Sequence, residues 1–280
     1  HSAAPDNGQT WWNNWEGIRY GKPDNNMYIE DNIFYDVGFV MDSQYANRYV
    51  FRYNTVYYEV SDKTYFGVLD SHGNQGEGWM YGSFGGEVYG NLIIFPDSGA
   101  SSILVRFLDH RGGRFVCYMN TVVRNYGTLN VQDVIRDTNP DWQNPETNPD
   151  YQFPYDSYFF LNRKNYNGAY WEVGEGTQTD NPPFYNCPTR DRDYFVGTDK
   201  FDGSAGVGYG PLARRPANPT TIGVGYWATD QDITNLEGKV GKNPSTPISG
   251  TLYKCTAPGV WTAYFKPYTY PHHLRTILND

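Results

Sequence analysis

Two short stretches of this chain gather side chains able to move protons. One runs Asp70-Ser71-His72-Gly73-Asn74-Gln75-Gly76-Glu77-Gly78-Trp79, the other Asp109-His110-Arg111-Gly112-Gly113-Arg114. A histidine supplies a base near neutral pH, an aspartate orients or protonates, and an arginine neutralises a carboxylate. Glycines beside them allow close backbone approach. Asp70, His72, Asp109, His110 and Arg111 are therefore the candidate catalytic group, suited to elimination or hydrolysis. Each histidine has a second reading, as a hydrogen-bonded loop residue.

The aspartates recur. Val40-Met41-Asp42-Ser43, Val68-Leu69-Asp70-Ser71 and Phe107-Leu108-Asp109-His110 share one pattern, and Val131-Gln132-Asp133 is a weaker fourth copy. Stacked strands lie ~4.8 Å apart, so carboxylates in register repel by about 3 kcal/mol per neighbouring pair at an effective dielectric near 20. Three escapes are open to such a column. The side chains splay into solvent as turn formers, one stays protonated, or cations bind between them. The last would make Asp42, Asp70, Asp109 and Asp133 calcium ligands. No cofactor is otherwise required.

What must position these residues is a second recurrence. Asn32, Asn54, Asn91 and Asn120 centre four segments that align without gaps, Met27–Phe34, Tyr49–Val56, Gly86–Ile93 and Phe115–Val122. Three residues before the Asn stand Ile29, Phe51, Val88 and Cys117, and two after it Phe34, Val56, Ile93 and Val122. Both columns are apolar, yet along a straight strand these positions point to opposite faces. The chain must bend at each Asn. Strand, Asn turn and strand, repeated, predict an all-β parallel solenoid in which Asn amides hydrogen-bond from one repeat to the next. A β-sandwich would not predict the same turn residue at a fixed offset. Cys117, in an inward column, reads as a core hydrophobe.

Two residues before the Asn, on the opposite face, come Glu30, Arg52, Tyr89 and Tyr118. Exposed aromatics beside acids and amides suit sugar rings, so these four and Trp79 are candidate ligand contacts. The alternative is that Tyr is there for its strand propensity.

The repeated unit resembles that of right-handed parallel β-helix proteins of the pectate-lyase-like type, over roughly residues 26–135. Gly223-Val224-Gly225-Tyr226-Trp227-Ala228-Thr229-Asp230, with Leu252-Tyr253-Lys254 and Pro267-Tyr268-Thr269-Tyr270-Pro271-His272, is similar to the terminal segment of extracellular bacterial or phage-associated members. The resemblance implies a right-handed parallel β-helix with long loops and a non-repeating C-terminal cap. It also implies an extracellular or cell-surface protein with a polysaccharide or cell-surface glycan as partner; the alternative is a non-catalytic structural, filament or tailspike-like surface module that self-assembles. It transfers no catalytic set: neither the family's catalytic arginine motif nor its acidic calcium signature maps onto this chain.

The organisation expected is one structural domain: an entry or cap segment over 1–26, repeats over 27–135, long wrapping loops over 136–219 and closing strands over 220–280. The Trp11-Trp12-Asn13-Asn14-Trp15 cluster is a candidate cap for the first repeat. With 280 residues the chain has ample material for a core, and 18% aromatic content excludes simple disorder. A net charge of -9 argues against nucleic acid, and the sequence holds no apolar run long enough for a membrane span. Of Cys117, Cys187 and Cys255, the last two are a possible disulfide if the chain is secreted. The adjacent pair His272-His273 is discounted as a metal site because neighbours on a strand face opposite ways.

Overall fold

A computed structural model describes residues 26–43, 47–58, 68–71, 83, 85–95, 107–123, 154–164, 189–231 and 250–274. Nearly all of its regular structure is strand, and most strands are parallel. The first sheet holds, in spatial order, β1 (Met27–Glu30), β4 (Arg48–Arg52), β7 (Gly85–Tyr89), β10 (Arg114–Tyr118), β12 (Ser157–Phe160) and β14 (Tyr194–Val196). The second holds β2 (Ile33–Tyr35), β5 (Thr55–Tyr57), β8 (Leu92–Ile94), β11 (Thr121–Val123) and β13 (Arg163–Lys164). The third holds β3 (Met41–Ser43), β6 (Leu69–Ser71) and β9 (Leu108–His110). The chain visits the three sheets in rotation, and each strand pairs with its counterpart one repeat on. That arrangement is compatible with a β-helix or solenoid.

The two apolar columns sit where the bend requires. Ile29, Phe51, Val88, Cys117, Phe159 and Val196 are successive partners across the first sheet. Phe34, Val56, Ile93 and Val122 are successive partners across the second. Both columns enter one core with Leu69 and Leu108 of the third sheet. Apolar burial of this kind contributes roughly 1.5–3 kcal/mol per large side chain.

The turn between first and second sheets repeats in detail. The residue before each Asn takes left-handed backbone: Asp31 at φ 58°, Tyr53 at 58°, Gly90 at 67°, Met119 at 53° and Leu161 at 58°. The Asn that follows is locked by its neighbours. The Nδ2 of Asn32 donates to Oδ1 of Asn54 (3.1 Å), Asn54 to Asn91 (3.2 Å), Asn91 to Asn120 (2.8 Å) and Asn120 to Asn162 (2.8 Å). The same Oδ1 atoms accept the backbone N–H of the preceding Asn at 2.9–3.1 Å. The remaining amide hydrogen of Asn54, Asn91, Asn120 and Asn162 goes to the carbonyls of Ile29, Phe51, Val88 and Cys117. Asn54, Asn91 and Asn120 thus use both amide donors and both lone pairs, which burial demands.

Asn162 extends the ladder beyond the four copies the sequence displays. It lies, with β12, β13 and β14, inside the span 136–219 that reads as loops. Lys164 occupies the apolar position two after the Asn and pairs with Val122, so the column signal breaks where the ladder continues.

A fourth sheet joins β15 (Val207–Gly210) and β16 (Gly225–Ala228) in parallel, and β16 with β17 (Thr251–Ala257) and β18 (Val260–Phe265) antiparallel. It lies over the outer face of the first sheet. Val50, Val116, Tyr118, Tyr158 and Phe160 pack there against Trp227, Leu252 and Phe265 in a second core. Cys117 and Cys255 are free, buried thiols, which gives no support to a Cys187–Cys255 bridge; Cys187 itself lies outside the described residues, as does the 11–15 cluster.

Candidate functional site

The aspartate column is in register: Asp42 is the partner of Asp70, and Asp70 of Asp109. Asp42 is exposed, the first of the three escapes. Asp70 and Asp109 are only 6% and 4% exposed. Their repulsion is met by a fixed cation from within the chain. Arg111, 4% exposed, turns back one repeat and forks onto Asp70, with Nε 3.1 Å from Oδ1 and Nη2 against Oδ2. Its Nε also stands 3.9 Å from Asp109 Oδ2. The backbone N–H of Arg111 donates to Ser71 O at 2.8 Å, which fixes the start of that reach. Sequence spacing placed Arg111 beside Asp109 and gave no sign that its guanidinium serves the repeat before.

His110 sits below this cluster with its side chain turned into the core. It is fully buried, with Phe115 and Phe159 against its ring at 4.4 and 6.0 Å. Its Nε2 is 3.0 Å from Ser157 Oγ. That hydroxyl donates to Tyr155 O and accepts the Phe115 N–H, so the imidazole carries its proton on Nε2. Burial in apolar surroundings lowers its pKa to about 3, so the ring is neutral. His110 completes a row of core-facing polar groups on the third sheet, in register with Ser71 and Ser43. Ser43 bonds Ser83 and Ser71 bonds Tyr49, each at 2.8 Å.

The candidate ligand face lies in the seam under the C-terminal layer. Arg52 is fully buried. It donates to Glu30 Oε2 (2.8 Å), Tyr89 Oη (2.9 Å), Tyr268 O (2.7 Å) and Thr269 O (3.0 Å). The rings of Tyr28 and Tyr270 flank its guanidinium at 4.9 and 5.3 Å. Glu30 accepts the His272 N–H at 2.9 Å, and Tyr270 donates to Asp31. Tyr89 stacks on Tyr118 at 4.9 Å, and Tyr118 meets Trp227 at the same separation. Burial pushes both phenols well above their ordinary range. A second clamp sits further along the seam, where Lys254 and Tyr264 donate to Asp156 at 2.5 and 2.7 Å.

His72, Trp79 and Asp133 lie outside the described residues. Among the described residues, no group of three or more His, Cys, Asp or Glu is arranged to hold a metal ion. Nor is any helix there long and apolar enough to cross a membrane.

One surface was not singled out from the sequence. On the outer face of the second sheet, Ile33 and Tyr35 are 52% and 59% exposed. Tyr35 stacks on Tyr57 with centroids 5.1 Å apart and planes 12° from parallel. Leu92 and Ile94 continue the two rows, partly exposed. The signal was available: Tyr35 and Tyr57 both fall three residues after an Asn, one beyond the inward column and so facing out.

Set against known proteins, the chain matches no protein-family model, no curated protein and no solved structure.

Proposed function

We propose that this chain is a right-handed parallel β-helix of the pectate-lyase-like type that works outside the cell or at its surface and recognises polysaccharide. The contact row in this reading is the outer face of the second sheet. The observation that carries it is the exposed Tyr35 stacked on Tyr57 in adjacent repeats. Aromatic side chains offer apolar surface to the C–H faces of sugars and hydroxyls to their oxygens. A strand ladder presents them at a regular spacing of ~4.8 Å, which suits a repeating polymer better than a single small molecule.

Recognition fits this geometry better than cleavage. Asp70, Asp109, His110 and Arg111 are all buried, and both oxygens of Asp70 are engaged by Arg111. A lyase or hydrolase acting through them would have to open the third sheet's corner to admit a sugar. Calcium at the column would have to compete with the guanidinium already there.

Affinity electrophoresis in gels containing neutral or acidic polysaccharides tests the reading, with Tyr35→Ala and Tyr57→Ala compared against the parent chain. Retardation by at least one polymer, reduced in both variants, is the expected result. No retardation in any gel would overturn it.

A second reading is a structural module that assembles end to end. Met27, Ile33, Tyr35 and Phe39, all in the first repeat, make up half of the exposed large hydrophobic residues among the described residues. Sedimentation showing defined oligomers without glycan binding would favour it.

A further inference from the structure

We infer that the tip of the C-terminal sheet carries a second ligand site, shaped for an anionic sugar ring bearing a carboxylate or a sulfate; this rests on the polysaccharide reading above. The local sequence is Pro211-Leu212-Ala213-Arg214-Arg215-Pro216. Leu212–Arg214 form one 3-10 turn, its entry fixed by the Leu212 N–H donating to Asp230 Oδ1 at 2.7 Å. The turn leaves Arg214 in solvent and swings Arg215 over the sheet.

Arg215 lies over two aromatic rings from neighbouring strands. Its guanidinium carbon is 4.3 Å from the Tyr253 centroid on β17 and 5.4 Å from that of Trp261 on β18. The indole is itself fixed, because Trp261 Nε1 donates to Pro216 O at 2.7 Å and Phe201 packs beside it at 6.3 Å. Tyr253, Trp261 and Arg215 are all partly exposed. The platform therefore stands ordered at the surface before any ligand arrives, which lowers the entropy cost of binding.

Charge points to the kind of ligand. None of the ion pairs among the described residues uses Arg214 or Arg215. Asp230 accepts the Leu212 N–H and makes no ion pair with either arginine. On a chain of net charge -9, two adjacent arginines without acidic partners make a local positive spot. With Arg215 Nη1 buried, Nε and Nη2 are the donors for a carboxylate or sulfate in a charge-assisted contact. The rings beside it supply apolar surface for the C–H face of the same sugar. A neutral sugar would gain only the stacking half of this site.

Calorimetric titration with three probes tests the proposal: a galacturonate oligosaccharide, a heparin-derived oligosaccharide and a neutral cello-oligosaccharide. At least one anionic probe should bind about tenfold or more tighter than the neutral one, the ratio showing whether carboxylate or sulfate is preferred. Arg214→Glu, on an exposed side chain, should remove most of that preference with an unchanged melting temperature. Arg215→Lys keeps the charge but loses the plane, and should weaken anionic binding while sparing neutral binding. Equal affinity for all three probes, or anionic binding untouched by both substitutions, would overturn the site. Tyr35→Ala separates the two readings. If it binds every probe normally while the arginine variants lose the anionic ones, the second-sheet row fails and the C-terminal site stands.

Discussion

Arg111 holds Asp70 with both arms of its guanidinium, although the two belong to successive repeats 41 residues apart. The geometry turns a like-charge column into an ion-pair cluster with Asp109. Arg111→Met should cost about 3–5 kcal/mol, because it takes the forked cation away from a buried carboxylate. Urea unfolding measures it. Asp70→Asn in the same background should recover part of the loss, since one of the two charges is gone. Chelator should leave the melting temperature of the parent chain unchanged.

Acid should destabilise the fold before ordinary carboxylates titrate. His110 is neutral when folded, with its pKa lowered to about 3 from 6.5. Between those values the unfolded chain binds a proton that the folded chain refuses, so stability is fully present above pH 6.5 and falls as pH falls. The slope is about 1.4 kcal/mol per pH unit, hence about 2 kcal/mol lost by pH 5. His110→Gln should flatten the stability curve between pH 6.5 and 5. An unchanged slope in that variant would refute the assignment.

The left-handed corner makes a prediction of opposite sign at two equivalent positions. Met119 at φ 53° bears a strain that glycine does not, whereas Gly90 at φ 67° bears none. Met119 is exposed enough for its side chain to be dispensable. Met119→Gly should gain about 0.5–1 kcal/mol, and Gly90→Ala should lose about 1 kcal/mol. Paired thermal melts read both.

Asn91 sits mid-ladder, and its side chain serves the repeats on both sides. Asn91→Leu should cost about 3 kcal/mol or more, because the Asn54 backbone N–H and the Phe51 carbonyl lose their partners inside the protein. Asn32→Leu, at the exposed start of the ladder, should cost less. Equal losses in equilibrium unfolding would contradict the role assigned to the buried amides.

The Asn corners and the inward columns were legible in the sequence because they are local: offsets of a few residues fix which way a side chain faces. Asn162 was hidden by Lys164 in the diagnostic position and by the long interval before it. The position of Arg52 was not legible. Its parity does place it on the outer face, but the partners that cover that face are the carbonyls of Tyr268 and Thr269, 216 and 217 residues on. No periodic signal links such distant segments. Asp70 and Asp109 were found as a column, whereas their cation was found only in three dimensions. The stacked Tyr35 and Tyr57 lay one position outside the alignment, in a column whose next members are Ile94 and Val123.

The Arg52 seam also has a bearing on how the molecule is made. During synthesis the first two repeats emerge long before Tyr268 and Thr269, and until those residues arrive a guanidinium and a bank of tyrosines face water with half their partners missing. Nascent and prematurely terminated chains therefore share one distinguishing mark, an uncovered aromatic flank, which is where a chaperone would bind and where stalled chains would aggregate. Arrival of the 267–273 segment removes that mark, so the seam reports that the C-terminal layer has docked on the first sheet.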